Sequence, residues 1–400
     1  MKIGAMWCAV TLGVFLGVSL TTQSATAQDT NRQDTIGIGL IMPYSGQFAD
    51  TAAQMDNGIK LYMRQFGDSV AGKKIEILRR DTGGIAPDVA KRLAQELVVR
   101  DHVDILAGFV LTPNALAAGD VSREAKKFMV VMNAATSVIT TKSEYMTRTS
   151  GTTPQLNEAF GSWAYRSGIR KIYMMVSDFG PAFDAEAAFQ RGFKEAGGEV
   201  VGSVRFPVAN PDFGVFVQRA KELNPEAIYV WVPGGAQPAA IGKAFAERGV
   251  STAATKILGQ GELTYDAALK AMGDAGLGIV TVAYYDHSHD SAPNKAFVAA
   301  FKAAYGRNPD PLAVGGFDGM HLIYETLKKT GGKADAESLI AAAKGTAWES
   351  PRGPVSIDPE TRDIVQTVHI RRVEKVDGEL QNTEFDRVEK VIDPVKERTK

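Results

Sequence analysis

Apolar runs and amphipathic stretches alternate along this chain. Residues 35–42 carry no charge and end at Pro43, the pattern of a strand buried on both faces. Met55, Ile59, Tyr62 and Phe66 then recur at helical spacing. Residues 74–78 predict a second strand, and Pro87 opens a helix whose apolar stripe is Val89, Leu93 and Leu97. Residues 103–107 predict a third strand. Thr112-Pro113 reads as the N-cap and first residue of a helix over 114–126, and 128–132 as a fourth strand.

The rhythm restarts after about residue 153. Strands are expected at 171–176, 200–206, 227–232 and 256–258. The helices between them are marked by Phe189 and Phe193, by Phe216, Ala220 and Leu223, and by Ile241 and Phe245. The remainder is mixed. A strand is expected at 278–284, helices at Phe297, Phe301 and Tyr305 and at 320–327, and hairpin-like strands at 355–357, 365–373 and 383–388. Asp358-Pro359 and Asp377-Gly378 supply the turns. Residues 395–400 are charged and read as frayed.

The fold class implied is α/β, with two doubly wound parallel sheets. Ligands on such sheets bind beyond the carboxyl ends of the strands. Two units facing each other make a cleft that hinge closure buries.

Composition narrows the setting. A length of 400 residues suits two domains. A net charge of -1 leaves no basic excess to hold nucleic acid. Residues 1–27 read as a cleavable signal peptide. Lys2 precedes an uncharged, apolar-rich stretch over 3–20, and Ala25-Thr26-Ala27 offers the small-x-small cleavage pattern before Gln28. An uncleaved anchor is the competing reading, disfavoured because the apolar stretch is short. The expected location is the periplasm. Cys8, the single cysteine, lies in this segment, so the mature chain has no cysteine nucleophile or cysteine metal site.

Few motifs carry chemistry. Gly37 and Gly39 lie inside a strand and lack the third glycine of a dinucleotide loop, so close packing explains them. Gly242-Lys243 is not followed by a hydroxyl residue and is no phosphate loop. His287-Ser288-His289, flanked by Asp286 and Asp290, reads as a solvated turn rather than a metal site. His102, His321 and His369 show no ligand spacing. No metal, cofactor or catalytic residue is expected. The sharper signals follow strands. Tyr44-Ser45-Gly46-Gln47-Phe48 follows the first, Thr112 the third, and Asn133 with Ala134-Ala135-Thr136-Ser137 the fourth. Free N–H groups and a hydroxyl there suit a carboxylate.

At these residues the chain resembles the Leu/Ile/Val-binding proteins of ABC transporters, the type I periplasmic binding fold. The resemblance spans nearly all of the mature chain. It rests on Pro43-Tyr44-Ser45-Gly46, Gly58, the 74–77 strand with Asp81, Gly108 with Thr112, and Ala134-Ala135-Thr136. It continues through Arg148, Asp178-Phe179-Gly180 and Gly315-Gly316-Phe317-Asp318. The resemblance implies two lobes joined by three crossovers, about 34–153 plus 283–346 and about 154–282 plus 347–400. It implies that Thr112, Ala134, Ala135 and Thr136 hold a ligand carboxylate, and that Phe179 caps the ligand where relatives carry Tyr. The acids that hold an amino-acid ammonium in relatives are Thr153 and Gly261 here, with Glu262 adjacent. A buried ammonium without a carboxylate partner costs several kcal/mol in order of magnitude. The expected ligand is therefore a small organic acid without an amine, an aromatic or keto acid, with Phe48, Phe179 and Tyr284 as ring walls. A branched-chain amino acid held by Glu262 is the competing ligand. The expected role is the solute-binding component of an ABC importer, a monomer that presents its ligand to a membrane permease. A sensory module for a receptor and a secreted hydrolase are the alternatives from other classes.

Overall fold

The computed structural model describes Met1 and residues 34–398; the expected signal segment lies outside the described residues. The chain opens with β1 (Thr35–Met42), helix α1 (Ala49–Phe66), β2 (Ser69–Val70), β3 (Lys73–Asp81), α2 (Pro87–Val99), β4 (Ile105–Gly108), α3 (Thr112–Glu124), β5 (Phe128–Val131) and β6 (Met146–Arg148). A second series follows: α4 (Thr153–Arg166), β7 (Lys171–Ser177), α5 (Gly180–Glu195), β8 (Glu199–Phe206), α6 (Phe213–Glu222), β9 (Ala227–Trp231), α7 (Gln237–Glu247), β10 (Lys256–Gln260), α8 (Asp266–Met272) and β11 (Val280–Ala283). The last part holds α9 (Ala292–Tyr305), α10 (Pro311–Lys329), α11 (Ala336–Ala343), β12 (Ala347–Ser350), β13 (Gly353–Ile357), β14 (Ile364–Val376), β15 (Glu379–Val391) and α12 (Pro394–Glu397).

The strands make two sheets. The first has the order β2-β3-β1-β4-β5-β6, parallel except for the β2 edge. The second runs β8-β7-β9-β10-β11 in parallel and continues antiparallel through β14, β13 and β12, with β15 paired to β14. β1 is central and apolar because both of its faces are covered. Ile38, Leu40 and Met42 face one core, while Ile41 packs with Leu97 and Leu106 in another. A Cβ on Gly39 would sit 2.7 Å from the Leu97 side chain, so this glycine serves close strand–helix packing.

The chain passes between the sheets three times. It leaves the first after β6, returns from β11 to α10 and α11, and goes back at β12. Leu312, Met320, Leu327 and Leu339 share a core with Ile38 and Val130. The β14–β15 ribbon closes at Asp377-Gly378, both at positive φ (53° and 87°), the geometry of a type I′ turn.

Two expectations change. Thr112 is not an N-cap. It is the first helical residue of α3, and Leu111 caps it without a side-chain bond. The chain beyond 393 is not frayed as far as it is described. Asp393 caps α12 by accepting from the Val395 N–H at 2.9 Å, and Lys396 Nζ lies 2.5 Å from buried Asp363. Composition suggested exposure there, but tertiary partners take up these charges.

Candidate functional site

Strand order locates the site. In the first sheet the chain moves from β1 to one side (β3) and then to the other (β4); in the second it does so around β7. Crevices at such switch points lie outside the carboxyl ends of the strands. Phe48 follows β1, Val110 to Thr112 follow β4, Phe179 follows β7, and Pro233, Gly234 and Gly235 follow β9. All of them line one cavity of about 110 Å³ between the sheets.

The first-sheet wall is built from backbone and hydroxyl groups. Thr112 starts α3, whose first turn has no side-chain cap. The Thr112 and Thr136 hydroxyls are 3.1 Å apart. Ala135 lines the cavity. The loop carrying it is held from behind by Arg148, which is fully buried. Arg148 Nη1 donates to the Ala134 carbonyl at 3.0 Å and the Thr136 carbonyl at 2.8 Å. Its Nε and Nη2 reach Asp363 Oδ1 at 2.9 and 2.6 Å. A charge buried this deeply is tolerated because it is both paired and hydrogen-bonded.

The opposing wall is built from side chains. Phe179 and Trp231 lie with ring centroids 6.1 Å apart. Gln260 Oε1 accepts from Asn157 Nδ2 at 2.7 Å and Trp231 Nε1 at 3.1 Å. That fixes the amide, so its Nε2 donates to the Glu262 carboxylate at 3.0 Å. Burial raises the Glu262 pKa above the ordinary glutamate value. Arg307, Asp310, Asp50 and Asp266 also border the cavity. Arg307 pairs with Asp50 at 2.6 Å. Asp310 caps α10 through the Leu312 and Ala313 N–H groups, and burial pushes its pKa up to about 7.

The two walls meet at the rim. A Cβ on Gly235 would lie 3.3 Å from the Gln47 carbonyl, and Gly235 has a φ of 65°. Asp184 of α5 accepts from the Ser137 N–H at 3.0 Å. That hydrogen bond joins the second unit to the first across the cleft.

Of the residues singled out from the sequence, Phe48, Thr112, Ala135, Phe179 and Glu262 line the cavity. Thr136 is half-buried, its hydroxyl 3.1 Å from that of Thr112. Ala134 is buried, and its N–H is used on the Phe109 carbonyl at 3.0 Å. Tyr44 packs against the first core instead. Tyr284 is no ring wall: its hydroxyl donates to the Pro311 carbonyl at 3.2 Å, and the Arg352 guanidinium lies 4.9 Å from its ring centroid. Gly261 is a packing glycine, since a Cβ there would meet Ala283 and Arg371 at 3.1 Å. Thr153, at an acid position of the relatives, donates its hydroxyl to the Ala135 carbonyl at 3.2 Å. Trp231, Gln260 and Tyr265 were missed. They sit at or just after the ends of β9 and β10, where the same post-strand rule applies. The 287–289 segment is a turn, exposed at Ser288 and half-buried at both histidines. Asp286 is buried in a pair with Arg371 at 2.7 Å and anchors it.

Residues 35–379 match the family described as periplasmic binding protein. The chain belongs to the periplasmic binding protein family. The Leu/Ile/Val-binding protein homolog 6 of Brucella melitensis biotype 1 is 42% identical over 365 residues, 90% of this chain and 93% of that one. Among solved structures, a solute-binding protein of an ABC transporter from Rhodopseudomonas palustris BisB5, in complex with 3,4-dihydroxybenzoic acid, is 52% identical. It superposes with a TM-score of 0.88 over 91% of this chain and 99% of that one. A solute-binding protein of an ABC transporter from Rhodopseudomonas palustris HaA2, in complex with p-hydroxybenzoic acid, is 42% identical. Its TM-score is 0.87 over 90% of this chain and 99% of that one. The two structural relatives are solute-binding proteins of ABC transporters.

Proposed function

We propose that the cleft captures a single-ring aromatic carboxylate, a hydroxylated benzoate above all, and delivers it to an ABC-transporter permease from the periplasm. The observation that carries this reading is the pairing of walls. Thr112, Ala135 and the uncapped first turn of α3 supply donors for a carboxylate. Phe48, Phe179 and Trp231 supply faces for a ring. Two relatives of 52% and 42% identity carry hydroxybenzoic acids, which supports the same ligand class here. Glu262, aimed at by Gln260 and raised in pKa by burial, would accept the ring hydroxyl.

The mechanism is binding and closure. The ligand docks on the first-sheet wall, the lobes close about the three crossovers, and Phe179, Trp231 and Glu262 complete the enclosure. The lobes in this reading are about 34–153 plus 283–346 and about 154–282 plus 347–400. The rim hydrogen bond from the Ser137 N–H to Asp184 would belong to the shape that a permease reads.

A second reading has one specific observation behind it. Glu262 does reach the cavity, where it would pair with the ammonium of a branched-chain amino acid. Titration calorimetry with 4-hydroxybenzoate, benzoate and leucine separates the two. Tight binding of the benzoates and none of leucine supports the aromatic acid. Tight leucine binding that Glu262→Gln abolishes would overturn it.

A further inference from the structure

Away from the cleft, three side chains remote in sequence converge on the second unit. His289 lies on the loop between β11 and α9, His369 on β14 and Glu384 on β15. Each offers one ligand atom, and these atoms lie within 4.8 Å of one another. Glu384 Oε2 is 2.9 Å from His289 Nδ1 and 3.3 Å from His369 Nδ1. The two imidazole centroids are 4.9 Å apart.

The convergence is built in. The β14–β15 register shifts between Ile370 and Arg371, which places Glu384 opposite Arg371 and next to His369. The loop that carries His289 is fixed to the same ribbon. Arg371 Nη1 donates to Asp286 at 2.7 Å, and Ser288 Oγ donates to the Asn382 carbonyl at 3.1 Å.

A closed hydrogen-bonded triad would be the plain account, but it leaves a polar atom over. His369, only 2% exposed, turns its Nδ1 to the Glu384 carboxylate, and the buried Glu384 Oε1 has no hydrogen-bond partner. An orphaned buried polar atom calls for a further group. His289 and His369 also border a cavity of about 550 Å³, which leaves room for an ion and its remaining ligands.

We propose that His289, His369 and Glu384 form a binding site for a divalent transition metal of the zinc class, separate from the solute cleft. Two imidazoles and one carboxylate suit zinc, cobalt or nickel rather than magnesium or calcium, which prefer all-oxygen shells. Bonds of about 2.0–2.1 Å in a tetrahedral shell put ligand atoms about 3.3 Å apart, close to the two Glu384–His separations. Three protein ligands leave a fourth position open to the cavity for water or a small anion. The His289 loop lies on the passage from β11 towards α10, one of the three crossovers. A bound ion would therefore tie that crossover to the β14–β15 ribbon.

The test uses tag-free, EDTA-treated mature protein, titrated with ZnCl2 by calorimetry and counted for metal after dialysis. The expected result is one zinc per chain and a melting temperature that rises with zinc. Glu384→Gln and His369→Ala should each weaken binding at least about tenfold. His289→Ala sits on a loop, so it should melt like wild type without zinc and still lose the metal. His102→Ala, remote from the triad, should bind zinc as wild type does. Wild-type affinity weaker than about 1 mM, or equal affinity in the triad variants, would overturn the proposal. Solute affinity measured without zinc should be unchanged in His289→Ala, which keeps failure here distinct from failure of the cleft assignment.

Discussion

The two walls of the cleft solve different problems with different materials. The first-sheet wall uses backbone and hydroxyl donors at a strand-to-helix turn, with Thr112 at the start of α3 and the Ala135 loop held by buried Arg148. The second wall uses side chains: Phe179, Trp231 and a Glu262 that Gln260 aims. A helix start after a parallel strand offers free N–H groups at every non-proline position of its first turn, here Thr112 and Asn114 but not Pro113, so in the proposed function the first wall recognises charge in general. Rings and an aimed carboxylate depend on particular residues. In the proposed function the second wall is therefore the one that discriminates between one carboxylate and another.

Variants break that division in turn. Arg148→Ala should have the largest effect, because it takes the buried guanidinium away from Asp363, leaving only Lys396 to face that charge, and strips the Ala134 and Thr136 carbonyls of their donor. A loss of about 3–5 kcal/mol in urea unfolding is expected, together with loss of binding for every carboxylate. A stable variant with normal affinity would show that the loop does not need its prop. Thr112→Val should spare folding and lower the affinity for benzoate, 4-hydroxybenzoate and keto acids alike, by about 10- to 100-fold in calorimetry. A change confined to one ligand would mean that the first wall also selects.

The second wall should respond differently. Trp231→Ala should cost benzoates about tenfold and leave non-aromatic acids little changed, as competition measurements would reveal. Glu262→Gln should alter the 4-hydroxybenzoate to benzoate affinity ratio by a few-fold, since only the phenol reaches a charged acceptor. The smallest effect is expected from pH. Burial raises the Asp310 pKa to about 7, so its carboxyl is protonated below that pH and charged above it. A new negative charge on the wall opposes an anionic ligand, so benzoate should bind a few-fold tighter at pH 6 than at pH 8. Asp310→Asn keeps an N-cap for α10 and should flatten the profile. The same group contributes stability in full below the ordinary aspartate pKa. That contribution is lost as pH rises towards 7, because only the folded state holds the proton in between.

Much of the first wall was legible in advance. Thr112, Ala135 and Phe48 follow strands that announce themselves as apolar runs, and post-strand loops share one edge of a parallel sheet. Phe179 came from the family resemblance. Trp231 and Gln260 were within reach of the same rule but look like buried strand residues, which they also are. Arg307 and Asp310 were not within reach. They precede α10, which returns to the first sheet only after the chain has crossed the second. Tyr284 failed as a ring wall because an aromatic residue at a strand end can turn either way. Here it turns to Pro311 and Arg352.

The sequence by itself determined the α/β class, the two series of strands and the post-strand turns, because apolar periodicity and helix-start chemistry are local. It also carried the motifs by which the family is known. Only the tertiary structure decided which side chains meet. It placed Glu262 rather than Gly261 or Thr153 in the cavity, and set Arg148 behind the loop instead of in the cleft. It brought His289, His369 and Glu384 together across the β14–β15 register. Such meetings depend on strand order, crossovers and register, which link residues far apart in the chain and leave no local pattern.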